Sequence, residues 1–172
     1  MSASQTRAVL THLYDALARR DGAAMAALYA PDATFEDPVF RLRGRQIGQM
    51  WIALTRRAKD LGISYTITQS ESGRGAVECT ARYLFGGRHP VVNRILSDIE
   101  IEEGLIVRQR DRFDFPRWAA QALGLPGRLF GRFSWFRKAV SRRAMRSLGL
   151  RPHHDPPAPT RLDAVVRTPR LV

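Results

Sequence analysis

Residues 91–115 read VVNRILSDIEIEEGLIVRQRDRFDF, and the alternation within that stretch decides the fold. Side chains of an extended strand point to opposite faces in turn. Val91, Asn93, Ile95, Ser97, Ile99 and Ile101 therefore share one face, against Arg94, Asp98, Glu100 and Glu102 on the other. Beyond Glu103-Gly104, a hairpin connection, Leu105, Val107, Gln109, Asp111, Phe113 and Phe115 share a face. Ile106, Arg108, Arg110, Arg112 and Asp114 lie opposite. Two strands, each dry on one side and wet on the other, read as an antiparallel pair. Working back toward the N-terminus, the period of two persists through 76–85 and 64–71. Gly86-Gly87 and Ser72-Gly73-Arg74-Gly75 supply the connections.

Before residue 62 the period changes. Val9, Leu10, Leu13, Tyr14 and Leu17 form the stripe of an amphipathic helix over 5–20, interrupted by Asp21-Gly22. A short helix over 23–30 is stopped by Pro31. Residues 34–40 look extended, with Pro38 marking an edge or bend. A third helix over 45–61 buries Ile47, Met50, Trp51, Leu54 and Ala58. Helices first and a meander after them make an α+β domain, not a βαβ array. Repeats, Gly-rich phosphate loops and Cys/His metal spacings are missing from the sequence.

The faces that should be dry carry polar intrusions, and these are the candidate functional residues. Asp111 sits between Gln109 and Phe113; Asn93 and Ser97 interrupt the preceding strand; Asp37 shares a face with Phe35 and Val39. An ionised carboxylate costs several kcal/mol to bury unpaired, so Asp111 needs a partner, water or a cavity. Each residue also has a structural reading. Inward Asp or Asn side chains commonly anchor turns and bulges, and Asp37, directly before Pro38, suits a turn. Tyr14 fits a helix stripe as well as a site. Cys79, alternating with Val77, Ala81 and Tyr83, reads as a buried, inert thiol.

The chain has 172 residues and a formal net charge of +12. Residues 1–116 hold 16 basic and 14 acidic side chains, whereas residues 117–172 hold 12 and 2. A near-neutral domain with a basic appendage argues against nucleic acid as a partner. One cysteine excludes an internal disulfide and a multi-thiolate metal site, and neither a metal nor a cofactor is expected. With no apolar run of membrane-spanning length and no signal-peptide pattern at the start, a soluble cytoplasmic protein is expected.

LYDALARRDGAAMAALYAPDATFEDPVF at 13–40, RGRQIGQMW at 43–51 and EEGLIVRQRDRFDF at 102–115 resemble the nuclear transport factor 2-like superfamily, in particular its SnoaL-like and ketosteroid-isomerase-like branch. The resemblance implies a cone-shaped α+β fold, a curved antiparallel sheet wrapped by three N-terminal helices around an apolar pocket, often as a homodimer. It implies that Tyr14 polarises a substrate carbonyl, that Asp37 moves the proton, and that Tyr29 and Trp51 support the tyrosine. The isomerase's second oxyanion acid falls near Leu96 or Ser97, and neither is an acid. Asp111 matches the last-strand aspartate of the cyclases and of the limonene-type epoxide hydrolases. The Asp-Arg-Asp bridge of those hydrolases has no inward arginine here. On this reading Asp37, Asp111, Tyr14 and Asn93 carry the chemistry, and Tyr29, Phe35, Trp51, Ser97, Ile99, Gln109 and Phe113 line the pocket. The expected activity is acid–base proton transfer next to a carbonyl on a small apolar molecule. A non-catalytic ligand-binding domain is the alternative.

The expected organisation is a domain over 1–116, a basic amphipathic helical extension over 117–150 and a Pro-rich tail over 151–172. Within the extension, Leu129, Phe133, Phe136, Val140, Ala144 and Leu148 recur at helical spacing among arginines from 128 to 148. That stripe suits packing against the domain or peripheral association with an anionic membrane.

Overall fold

Ser2 starts the first helix by accepting from the Gln5 amide, while the Gln5 side chain returns to the Ser2 amide at 2.7 Å. A computed structural model describes residues 1–58 and 60–150, so the expected tail at 151–172 lies outside the described residues. Helix α1 (Ala3–Ala18) buries Leu10, Leu13, Tyr14 and Ala16. Asp21 caps α2 (Gly22–Ala26) through the Ala24 amide. Strand β1 (Tyr29–Glu36) begins earlier than the sequence suggests, and Pro31 lies inside it instead of ending a helix. Proline cannot donate to a ladder, and the register of β1 shifts between Tyr29 and Thr34, around that residue. Strand β2 (Arg41–Arg43) and helix α3 (Arg45–Arg57) follow.

The meander is β3 (Gly62–Glu71), β4 (Arg74–Phe85), β5 (His89–Glu102) and β6 (Leu105–Arg112). The sheet order is β2-β1-β6-β5-β4-β3. Neighbours are antiparallel except β1 and β6, which run parallel. The sheet is curved and unclosed, and the N-terminal helices cover its inner face. Leu10, Leu13, Met25, Ile47, Met50, Val77, Ile99 and Ile106 form the centre of the core. Burying each such side chain contributes about 1.5–3 kcal/mol.

Strand β5 keeps the alternation read from the sequence. Strand β6 does not keep it throughout. Glu100 pairs with Arg108 but Ile101 pairs with Ile106, leaving Val107 as an extra residue. This bulge reverses the faces at the start of the strand. Ile106 is fully buried and Leu105 is exposed, opposite to the expected parity, while Gln109 and Asp111 beyond the bulge point inward.

The expected continuous helix over 128–148 is two helices. Asp114 caps α4 (Phe115–Leu123), whose Gln121 bonds both the amide and the carbonyl of Val92. Then come α5 (Leu125–Phe130) and α6 (Ser134–Ser147), separated by Gly131, Arg132 and Phe133. The stripe of Phe136, Val140 and Ala144 in α6, with Leu148 at its C-cap, packs on the domain beside buried Met145 and Leu150. Ser141 Oγ donates to the Val39 carbonyl, and Arg57 holds the Ser147 carbonyl at 2.7 Å. The second half of the expected stripe is structural. The first half, Leu129 and Phe133, stays exposed.

Candidate functional site

Two hydrogen-bond chains, from α3 and from α1, converge on the wall formed by β5 and β6. Trp51 Nε1, from α3, donates to Tyr29 Oη at 3.0 Å, and Tyr29 Oη donates to Gln109 Oε1 at 2.5 Å. An indole N–H can only donate, so the phenol must pass its own proton onward. That fixes the Gln109 amide with its nitrogen toward Asp111, and Gln109 Nε2 donates to Asp111 Oδ1 at 2.9 Å. The other chain begins on α1, where Tyr14 Oη donates to Ser97 Oγ at 2.7 Å. Ser97 lies directly across from Asp111 in the β5–β6 register, and its hydroxyl favours the ionised carboxyl. Asp111 is the acceptor at the end of the first chain and lies across the strand pair from the hydroxyl that ends the second.

Burial opposes these donors. It raises the Asp111 pKa to about 6, with Gln109 and Ser97 pulling the other way. Desolvation, with the Asp111 charge adding to it, pushes Tyr14 and Tyr29 well above the ordinary tyrosine value. The Cys79 thiol is pushed up to about 12 by burial first and Asp111 second, which leaves it protonated and inert.

Asp37 takes the turn role that its sequence position allows. It follows the end of β1, and its Oδ1 accepts from the amides of Val39 at 2.6 Å and Phe40 at 2.5 Å. Among the described residues its Oδ2 meets no hydrogen-bond partner, and none of their wholly buried side-chain polar atoms lacks one. That oxygen is therefore not wholly sealed, in a residue that is half-buried. Desolvation raises the Asp37 pKa to about 7 against the two amides, and the Asp111 charge contributes in the same direction. The two carboxyls are close enough to feel each other. The turn pins one oxygen of Asp37 and leaves the other open.

Asn93 shares the inward face with Ser97, four residues away, about 13 Å along the strand. It is 8% exposed and its amide finds no partner among the described residues. It stands apart from the Asp111 cluster. Phe35 is buried with its ring edge-on to Trp51 at 5.7 Å, and Ile99 is buried beside Ser97. Phe113 follows β6 and sets its ring 6.2 Å from Trp118. Two surface hollows lie away from this cluster. One, of about 400 Å³, borders Met1 and Gly73; the other, of about 670 Å³, lies on the outer sheet face between Thr66, Glu78, Arg94 and Arg112. Neither is lined by Tyr14, Asp37 or Asp111.

Tyr83 is the residue that sequence reasoning passed over. Its hydroxyl accepts from Trp118 Nε1 at 2.8 Å, and its own proton goes to no described residue. Burial raises its pKa, and the Asp37 charge adds to the shift, so a free phenol proton lies within charge range of the open carboxyl. The inward parity of Val77, Cys79, Ala81 and Tyr83 was the available signal. The arginines of the last two strands face outward: Arg112 meets Asp98 at 2.6 Å and Arg108 meets Glu100 at 3.6 Å. No group of His, Cys, Asp and Glu among the described residues is placed to hold a metal ion.

Residues 10–109 match the family model described as a SnoaL-like domain. The chain belongs to the SnoaL-like family. The match ends two residues before Asp111, so the site's inner carboxyl lies just past it. No curated protein matches the sequence. Among solved structures the SnoaL-like fold of this chain is similar to a protein assigned as a polyketide cyclase from Silicibacter sp., at TM-score 0.61 and 17% identity, covering 70% of this chain and 97% of that one. It is also similar to an LEH-like epoxide hydrolase from M. tuberculosis, at 0.54 and 23%, covering 74% and 96%. A third is a protein with a ketosteroid isomerase-like fold from Catenulispora acidiphila, at 0.57 and 21%, covering 70% and 95%. At these identities the likeness concerns the fold.

Proposed function

We propose that this SnoaL-like chain is an enzyme that moves a proton next to the carbonyl of a small, mostly apolar molecule. The observation that carries the reading is Asp37: a carboxyl held through one oxygen only, raised to about 7, in charge contact with a second inward carboxyl. A general base works best when its pKa lies near the working pH, and the open Oδ2 takes the substrate's proton. The oxygen of the resulting enolate needs a donor with an uncommitted proton. Tyr83 and Asn93 have one, whereas the Tyr14 hydroxyl is engaged by Ser97. The Asp111 charge biases Asp37 toward its protonated form. Tyr14 then acts through Ser97 on Asp111, a positioning role in place of the direct contact implied by the isomerase resemblance.

The outward arginines favour this reading over epoxide hydrolysis. A test that works before the natural substrate is identified is solvent deuterium incorporation at the α-carbon of a panel of small apolar ketones, followed by NMR. The wild type is expected to accelerate exchange for at least one ketone, and Asp37→Asn to slow it about a hundredfold or more. Exchange at the wild-type rate in Asp37→Asn returns that residue to a turn anchor. No exchange with any ketone, alongside retained ketone binding, favours the non-catalytic binder.

A further inference from the structure

We propose that the corner between α5 and α6 docks on the surface of an anionic lipid bilayer. Gly127 and Gly131 are the buried residues of this corner, and they press α5 onto α4. A Cβ on Gly127 would overlap the Ala119 carbonyl oxygen, and one on Gly131 would lie 3.2 Å from Pro116 Cα. The bulky apolar side chains point the other way. Leu125 is 72% exposed, Leu129 64%, Trp135 55% and Phe133 52%. The aromatic rings are contiguous: Phe130 lies 5.5 Å from Trp135, and Phe133 stacks on Trp135 at 6.3 Å. A segment that served only the domain core would place these residues inside and its glycines outside. Here the polarity is inverted, and the corner presents an aromatic patch to its surroundings.

The charges around the patch select the occupant. Arg128, Arg132, Arg137 and Lys138 are exposed beside it, and residues 115–150 contain no Asp or Glu. Aromatic and leucine side chains inserted at the headgroup boundary, with arginines at phosphate level, match an interface with negative lipid headgroups. A nucleic acid would use the arginines but leave Leu125 and Leu129 without a partner. No helix of the described residues is long and apolar enough to cross a membrane, so the contact is peripheral. The other end of α6 is anchored by Met145 and Leu150, which keeps the patch rigid on the domain.

The experiment is co-sedimentation of the full chain with vesicles of phosphatidylcholine containing phosphatidylglycerol, and with phosphatidylcholine alone. Binding to the anionic vesicles is expected, weakening as salt rises, with a blue shift of tryptophan emission that Trp135→Phe removes. Leu129→Ser with Phe133→Ser, and separately Arg132→Gln with Arg137→Gln, should each weaken binding at least about tenfold. All four positions are exposed, and an unchanged circular dichroism melt confirms the fold. Failure to bind anionic vesicles overturns the proposal. So does binding that survives both double variants, or a duplex oligonucleotide that displaces the vesicles and still binds Leu129→Ser with Phe133→Ser.

Discussion

At the scale of single residues, the site is governed by competition between desolvation and donated hydrogen bonds. Asp111 accepts from Gln109, the Ser97 hydroxyl across the strand pair also favours its ionised form, and its pKa is still raised to about 6. A carboxyl raised above its ordinary value of 3.8 holds its proton more tightly in the folded chain than in the unfolded one. Its stabilising contribution is complete below that ordinary value and is lost as pH rises through about 6. The expected outcome is that Asp111→Asn flattens the fall in melting temperature between pH 4 and 7 relative to the wild type. A variant whose profile runs parallel to the wild type would show that the Asp111 carboxyl is solvated in both states. The candidate carboxyls were legible in the sequence because period-two alternation marks inward positions, and Asn93, Ser97, Gln109 and Asp111 all lie inward as read. Their roles were not legible. Parity cannot tell which hydrogen-bond acceptor a phenol reaches across the fold, so the engagement of Tyr14 by Ser97 and the free proton of Tyr83 emerge only from tertiary contacts.

At the scale of elements, two local features decide how the strands and helices are placed. The bulge at Val107 turns Ile106 inward, and no residue type at 105–107 announces it, since all three are aliphatic. The corner at α5 depends on Gly127, where backbone approaches backbone. An added methyl there has no flexible neighbour to displace, so α4 and α5 must separate. Gly127→Ala is expected to cost about 1–3 kcal/mol, the range of overpacking, measured by denaturant unfolding. A neutral result would mean that α5 is held loosely against α4. The spacing of apolar residues over 128–148 suggested one stripe with one destination. It divides because Gly131 ends α5, and the halves meet different surroundings: Phe136 to Leu148 meet the domain, while Leu129 and Phe133 do not.

At the scale of the whole molecule, the curved sheet and its helices bring two carboxyls within charge range of each other, and the basic extension adds a second surface to the same body. Ser141 ties α6 to the Val39 carbonyl, two residues from Asp37. The corner proposed to dock, at Trp135, is six residues back along that helix, about 9 Å. The homodimer implied by the family resemblance would need a separate surface, and the outer sheet face exposes Leu84, Val92 and Leu96. The proposed activity depends on ionised Asp37 taking a proton from substrate. The most direct test is the pH dependence of ketone α-deuteration by the wild type and by Asp37→Asn. The wild-type rate is expected to rise with pH through a midpoint near 7, where the Asp37 carboxyl loses its proton, and the variant to lack that rise. A profile that is flat from pH 5 to 8, or identical in the two proteins, would contradict it.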